Sequence, residues 1–511
     1  MKLNEKFWTI IICAICLVYV LIRFWHLSDS CLWFDEIFSI HAAEMGWKNL
    51  FWFVAQDLIH PPLFYIFLKI WIHIGGETLY WLRLFPVLFA TIALIPFFLL
   101  CRQLKLKQPT IVLALLFFAV NGNLVKYAQE VRMYSVLLCL SLFSFWLFAR
   151  YLNVGKGIWF LTIVNILLVH TQYFGWFLVL AEVFALLYLQ RVKIGQFMVM
   201  FGLVIASFIP WTIAVLQAAR SNADVSQNLG WASKPDLLTL IRFIFNFNEP
   251  FYFQTSNINP LTIWQITLPI LLIIITAVFF YFANWKNYDE KEKNAFSFLL
   301  IILFTPILLA FIASWILPFS IWGTRHFIII FAPYTILLAK IFSNIQFKVM
   351  KISLISAIIA IILGAFILQL NRPIQTPIWC AWDSLADNLY ESTLHGKEAS
   401  DIAVYTFEDL TAYHFWFSLH DSDRGFRIFK VNGFKDLIED KAYFLPRGFD
   451  GVKTINADEI NELKFYIAFR AEDFNYLKPP LKFLIEKGYK IGDPQIYETN
   501  GLKAFLVEVK K

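Results

Sequence analysis

From Phe7 to Leu370 the chain is a succession of long apolar runs separated by short polar segments. About 20 residues of helix cross a hydrocarbon layer of ~30 Å, and a helix satisfies its own backbone there. On that basis eleven spans are expected, at about 7–27, 79–101, 109–122, 132–151, 157–171, 174–190, 196–217, 261–284, 296–318, 325–343 and 349–370. The first follows Lys2 and Lys6 and has no small-residue cleavage site after it, so it reads as a retained anchor whose amino end is cytoplasmic.

One apolar run resists this treatment. Residues 61–74 (PPLFYIFLKIWIHI) are short, open on two prolines and contain Lys69 and His73. A span here would move every later loop to the opposite side, so the segment reads as a helix lying in or dipping into the outer interface. Residues 28–78 then form one large first external loop with juxtamembrane helices. After Leu370 the pattern changes again. Pro373 and Pro377 mark a linker between a membrane domain, 1–371, and a small soluble α/β domain, 372–511. In the latter, 382–397 reads as helix, 401–407, 426–431, 464–470 and 502–509 read as strands, and PPLKFLIEKGYKI (479–491) reads as a second helix.

Composition agrees with a polytopic α-helical membrane protein: 59% of the 511 residues are hydrophobic, 16% are charged, and the mean hydropathy is +0.63. A chain of this kind does not fold in water around one core, and nothing in it calls for a nucleic acid. Charge supplies an independent check on the span count. Arg102, Lys105 and Lys107 share one loop; Arg150 and Lys156, Arg191 and Lys193, Lys286, Lys291 and Lys293, then Lys348 and Lys351 fall in further alternate loops. These loops are assigned to the cytoplasm. The opposite set, with residues 372–511, is extracytoplasmic and carries Asp35, Glu36, His60, Glu130, Arg132, His170, Arg325 and His326. Cys13 and Cys16 lie within an apolar span, where packing is the simpler reading than thiol chemistry. Cys31 and Cys380 both fall on the outer side, where a disulfide is open to them but nothing in the spacing requires it.

Four outer segments carry candidate chemistry. In CLWFDEIFSIHAAEMGW (31–47), Asp35 or Glu36 can act as a general base toward a hydroxyl or supply oxygen to a divalent cation, although solvated interfacial charges explain the pair as well. In DLIHPPLFY (57–65), His60 can ligate a metal or bind phosphate; a structural histidine beside a Pro-Pro turn is the plainer alternative. NGNLVKYAQEVRMYS (121–135) places Lys126, Glu130, Arg132 and Tyr134 at the head of a span, where ionisable groups are costly unless they face water or one another. A pair from Glu130 to Arg132 or Lys126 that pins the loop is the alternative there. LPFSIWGTRHFIIIFAPY (317–334) opens a span with Arg325 and His326, and a guanidinium in that position either binds a phosphate ester or snorkels.

Taken in order, DE at 35–36, HPPL, Arg83 in LYWLRLFPVL, AQEVRMYS and TRHFIIIFAPY resemble the GT-C superfamily of polyprenyl-phosphate-dependent glycosyltransferases. The likeness is to bacterial relatives of the protein O-mannosyltransferases and of the lipid A aminoarabinose transferase, and it runs from the first span to the tenth. The resemblance implies a polyprenyl-phosphate sugar donor, an acceptor lipid, glycan or protein, and transfer with inversion on the outer face of a bacterial inner or plasma membrane. It matches the family's acidic residue of the first external loop to Asp35, with Glu36 beside it, and the second acidic position to Glu130. Arg325 is then the first candidate for the donor phosphate, assisted by Arg132, Lys126, His326 and Tyr134. Since some members use a divalent metal ion and others do not, Glu36, His60 and Glu130 are the candidate ligands. Residues 372–511 resemble the α/β tail of many bacterial relatives.

Other classes fit the hydropathy. A transporter or lipid flippase places charges inside its spans and often repeats its halves. Here Glu182 is the main charge within a span and no repeat is evident. An O-antigen ligase or polymerase shares the architecture. A non-catalytic scaffold has no need of an acidic pair, a His-Pro-Pro turn and a basic span head on one face.

Overall fold

The computed structural model describes residues 5–189, 194–221, 230, 232–251, 260–371, 376–394, 402–422, 425–434, 443–499 and 501–511. Arg191, Lys193 and Pro373, together with the ends of two expected C-terminal elements at 395–397 and 401, lie outside them. The chain forms two compact units: Met1–Leu27, Leu58–Asn222 and Ala232–Pro373 make the first, and Ser28–Asp57, Ala223–Trp231 and Ile374–Lys511 the second.

The first unit is helical and belongs to a multi-pass membrane protein. Among the described residues, eight of its helices are long and apolar enough to cross a membrane, from α1 (Glu5–Phe24) to Lys348–Leu370, and each coincides with an expected span. The other three expected spans are shorter helices, Gln108–Val120, Ile158–Thr171 and Gly175–Leu189, of 13, 14 and 15 residues. At about 1.5 Å per residue these rise roughly 20 Å, so among the described residues eight helices meet the length of a span and the count of eleven is not confirmed. An amphipathic helix at Leu237–Phe247 was not anticipated.

The ambiguous segment after the two prolines is a helix, Leu63–Gly75. Proline lacks the amide that a first turn leaves without an intrahelical partner, so Pro61-Pro62 can head it at little cost. Its far end is fixed by Trp71 and Trp81, whose rings stack 4.3 Å apart while each indole donates to the other's carbonyl, at 2.8 and 3.0 Å.

Deeper in this unit, Glu182 is fully buried. Its oxygens lie 2.6 Å from Ser144 Oγ and 2.8 Å from Asn165 Nδ2, and Ser144 Oγ is also 2.6 Å from Asn165 Oδ1. The triad joins Tyr134–Val154, Ile158–Thr171 and Gly175–Leu189. A buried carboxyl is tolerated only with such partners.

In the second unit, residues 28–57 group with the C-terminal part of the chain. They form a helical hairpin, α2 (Phe34–Glu44) and α3 (Trp47–Asp57). A disulfide joins Cys31 to Cys380, with Cα atoms 5.3 Å apart. The C-terminal part is a six-stranded sheet in the order β3-β2-β1-β4-β6-β5: β1 Ile402–Thr406, β2 Phe426–Asn432, β3 Val452–Asn456, β4 Lys464–Ala471, β5 Lys490–Thr499 and β6 Leu502–Lys510. The first four run parallel, and β6 is antiparallel to β4 and β5. Period-two alternation divides the core. Val404, Ile428 and Leu506 pack with the helices Cys380–Leu394 and Asp409–Leu419, while Tyr405, Ile467 and Val507 pack toward Leu481 and Leu484.

Two strands and one helix were not legible. β3 is a five-residue edge strand with two buried side chains, and β5 is an edge strand interrupted by an irregularity between Ile491 and Pro494, so neither alternates strongly. The expected helix at 479–491 is helical only over Leu481–Glu486, and β5 begins at Lys490. The helix Asp409–Leu419 is buried along most of its length and therefore lacks an amphipathic period.

Replacing Asn165 with Leu removes the amide donor to Glu182 while keeping the branched shape of the side chain. The expected result is a loss of about 1–3 kcal/mol, read as a lower thermal midpoint in detergent. An unchanged or higher midpoint would mean that the triad does not hold the three helices together.

Candidate active site

In the first unit the site is built on the turn between the short helix Gly122–Lys126 and Tyr134–Val154. Asn121 Oδ1 accepts from the Leu124 amide at 3.2 Å, and its Nδ2 donates to the Phe247 carbonyl at 2.9 Å. Gln129 Nε2 donates to the carbonyls of Arg23 and Trp25, at 3.1 and 2.7 Å, tying the turn to the end of α1. The Arg132 amide closes back on the Glu130 carbonyl at 2.7 Å. These bonds fix the backbone from which Arg132 projects.

Arg132 and His60 are 2% and 6% exposed, and Arg132 Nη2 lies 3.0 Å from His60 Nε2. A guanidinium only donates, so His60 Nε2 accepts and the ring proton sits on Nδ1. The loop alternatives are thereby divided: Arg132 bonds His60, whereas Glu130 pairs with Lys126 at 3.5 Å. Tyr134 is buried, its ring 4.8 Å from that of Tyr127.

Arg325 and His326 lie in the helical turn Thr324–Ile330. Gln172 Oε1 accepts from the Phe174 amide, which directs the Gln172 NH2 toward His326 Nδ1 at 3.1 Å. His326 therefore accepts at Nδ1 and presents Nε2–H as a donor. Its ring stacks on Phe174 at 4.8 Å, and a Cβ on Gly323 would come within 2.8 Å of its Cδ2. His326 lies within electrostatic reach of Arg325, His60 and Arg132. Two guanidiniums and two imidazoles bearing N–H donors thus gather in one neighbourhood suited to an anion.

The acidic pair belongs to the second unit, at the first turn of α2. Asp35 is half-buried, and its carbonyl accepts from Ser39 Oγ at 2.8 Å. Glu36 is 1% exposed, and its Oε2 accepts from the Trp33 amide at 3.1 Å, capping the helix. Adjacent carboxylates therefore take different positions, and Asp35 is the more accessible.

The chemistry of the expected metal ligands gives a divalent ion little support. Glu36 caps α2, Glu130 pairs with Lys126, and His60 accepts from Arg132 through Nε2. Among the described residues no three His, Cys, Asp or Glu side chains cluster as a metal set. His170, one of the outer polar groups, hydrogen-bonds the Ile166 carbonyl of its own helix at 2.9 Å. Sequence reasoning missed Gln172 and Gly323. The Gln-Tyr-Phe run after His170 marks a break between two apolar helices, and that is the signal that points to Gln172.

No family model and no curated protein matches this chain. Solved structures do. ArnT from Cupriavidus metallidurans bound to undecaprenyl phosphate aligns over 99% of this chain and 98% of its own, at 10% identity and a TM-score of 0.58. This chain has the fold of that ArnT. The apo state of the same ArnT aligns over 97% of each chain, at 10% identity and a TM-score of 0.56. An oligosaccharyltransferase from Archaeoglobus fulgidus covers 81% of this chain and 63% of its own at 13% identity, with a TM-score of 0.47 that adds nothing to the assignment. At such identities the likeness is one of fold alone.

Gly323→Ala is expected to push His326 off Gln172 and to weaken binding of a phosphate ester roughly tenfold, measured by titration of the purified protein. Wild-type affinity would remove His326 from the anion-binding face.

Proposed function

We propose that the protein is an inverting glycosyltransferase that moves a sugar from a polyprenyl-phosphate donor to a hydroxyl of a lipid, glycan or protein on the non-cytoplasmic face of a cell membrane. The observation that carries this reading is the gathering of Arg132, His60, Arg325 and His326, in a chain with the ArnT fold. The ArnT neighbour binds undecaprenyl phosphate, the carrier class that such a donor uses. The outer assignment rests on the basic residues of the alternate loops.

The reaction is a single displacement. Asp35 takes the proton of the acceptor hydroxyl as that oxygen forms a bond to the anomeric carbon, and the bond from that carbon to the phosphate oxygen breaks with its electron pair. A phosphodiester becomes a monoester and gains negative charge. Arg325 and Arg132 meet that charge, and the N–H groups of His326 and His60 add hydrogen bonds that strengthen as it grows. Lys126 holds Glu130, and Glu36 keeps the first turn of α2 in place.

Purified protein in lipid, supplied with radiolabelled undecaprenyl-phosphate sugars, tests the reading through consumption of the donor. Asp35→Asn is expected to abolish transfer with folding intact, since it removes the base at nearly constant volume; near-normal turnover would reassign that role. Arg325→Ala is expected to raise the donor KM, with a loss in kcat/KM of roughly tenfold or more. An unchanged donor KM would make Arg325 a membrane anchor.

A further inference from the structure

The hairpin that bears Asp35 is tied to the C-terminal sheet domain at each of its ends and in its middle. Ahead of α2, Cys31 is disulfide-bonded to Cys380, the first residue of the helix Cys380–Leu394. Phe34, the neighbour of Asp35, sets its ring 5.1 Å from Tyr413 and 5.0 Å from Tyr443. Two turns on, His41 Nδ1 is 2.9 Å from the Tyr413 hydroxyl, and its ring is enclosed by Trp416, Phe449 and Phe53 at 4.6, 5.3 and 4.9 Å. At the end of α2, Glu44 lies 3.4 Å from His420 Nε2. Beyond α3, Arg447 Nη1 donates to the Gln56 carbonyl at 2.7 Å. Gly448 makes that last approach feasible, since its φ is +69° and a Cβ would come within 2.7 Å of Gln56 Oε1.

α2 and α3 have 11 residues each, and helices of that length are marginal in water without tertiary contacts. Their orientation is therefore set by what they pack against. Tyr413, from the C-terminal part of the chain, touches both Phe34 and His41, two points along one face of α2.

We infer that Tyr413 is a positioning residue for Asp35, and that the C-terminal domain serves catalysis by holding the α2–α3 hairpin in register. The inference rests on the reading of Asp35 as the base. Burial holds His41 down to about 4, even though the charges of Glu44 and Asp450 oppose the shift, so its ring is neutral at physiological pH and hydrogen-bonds to a phenol without a charge to satisfy. Without that bond α2 keeps its apolar packing but loses the fixed point one turn and a half from Asp35, and the carboxylate samples positions from which proton transfer is slow.

The test uses the full-length protein in nanodiscs, with radiolabelled undecaprenyl-phosphate sugars as donor. Tyr413→Phe and His41→Ala are expected to speed amide hydrogen exchange across residues 34–57 roughly tenfold while β4 and β6 stay protected. The same variants are expected to lower kcat roughly tenfold with donor KM within about twofold. His41→Asn, which keeps an acceptor near the Nδ1 position, is expected to restore most of both. Wild-type exchange, or faster exchange with wild-type kcat, overturns the proposal. An Asp35→Asn control that turns over normally sinks the base assignment itself, and that outcome is told apart because the exchange data still report whether the tie holds.

Discussion

The hydrogen bond from Arg132 to His60 is the interaction on which the first unit's site depends. It decides the imidazole tautomer and engages His60, one of the expected metal ligands, while Glu130 pairs with Lys126. The bond exists because Gln129 and Asn121 pin the intervening turn to α1 and to the chain near Phe247. Gln172 performs the same service for His326, fixing Nδ1 as acceptor and leaving the ring proton on Nε2. Two imidazoles are thus converted from ambiguous groups into N–H donors, and His326 feels the charges of Arg325 and Arg132 as well as His60.

The second unit answers a different physical problem. α2, the 11-residue helix that carries Asp35, is too short to hold itself. A disulfide, an aromatic enclosure around His41 and an arginine on the end of α3 supply the restraint. The C-terminal part of the chain thus restrains the helix that carries Asp35. That also accounts for Glu36, which caps the helix that carries its neighbour.

The membrane architecture was legible because hydrocarbon imposes a length and a polarity on every span, and eight long helices lie where the apolar runs predicted them. Shorter apolar helices such as Gln108–Val120 carry the same composition signal with less length, so the total count is less sharply written. The candidate cations were legible as charges at span ends, but their partners were not. Whether Arg132 meets Glu130 or His60 depends on a backbone turn held by residues more than a hundred positions away. Gln172 carries no charge and attracted no notice, yet it sets a tautomer. In the tail, edge strands β3 and β5 lacked alternation because an edge is half solvated, and the buried helix Asp409–Leu419 lacked a polar face for the opposite reason. The pairing of Cys31 with Cys380, 349 positions apart, is a fact of the fold that spacing did not disclose.

A structure of the protein in a lipid nanodisc with undecaprenyl phosphate bound tests the central claim most directly. The account predicts the phosphate oxygens within hydrogen-bonding distance, about 2.7–3.2 Å, of the Arg132 and Arg325 guanidiniums and of His326 Nε2. A phosphate held elsewhere, with this cluster facing only protein, would contradict it.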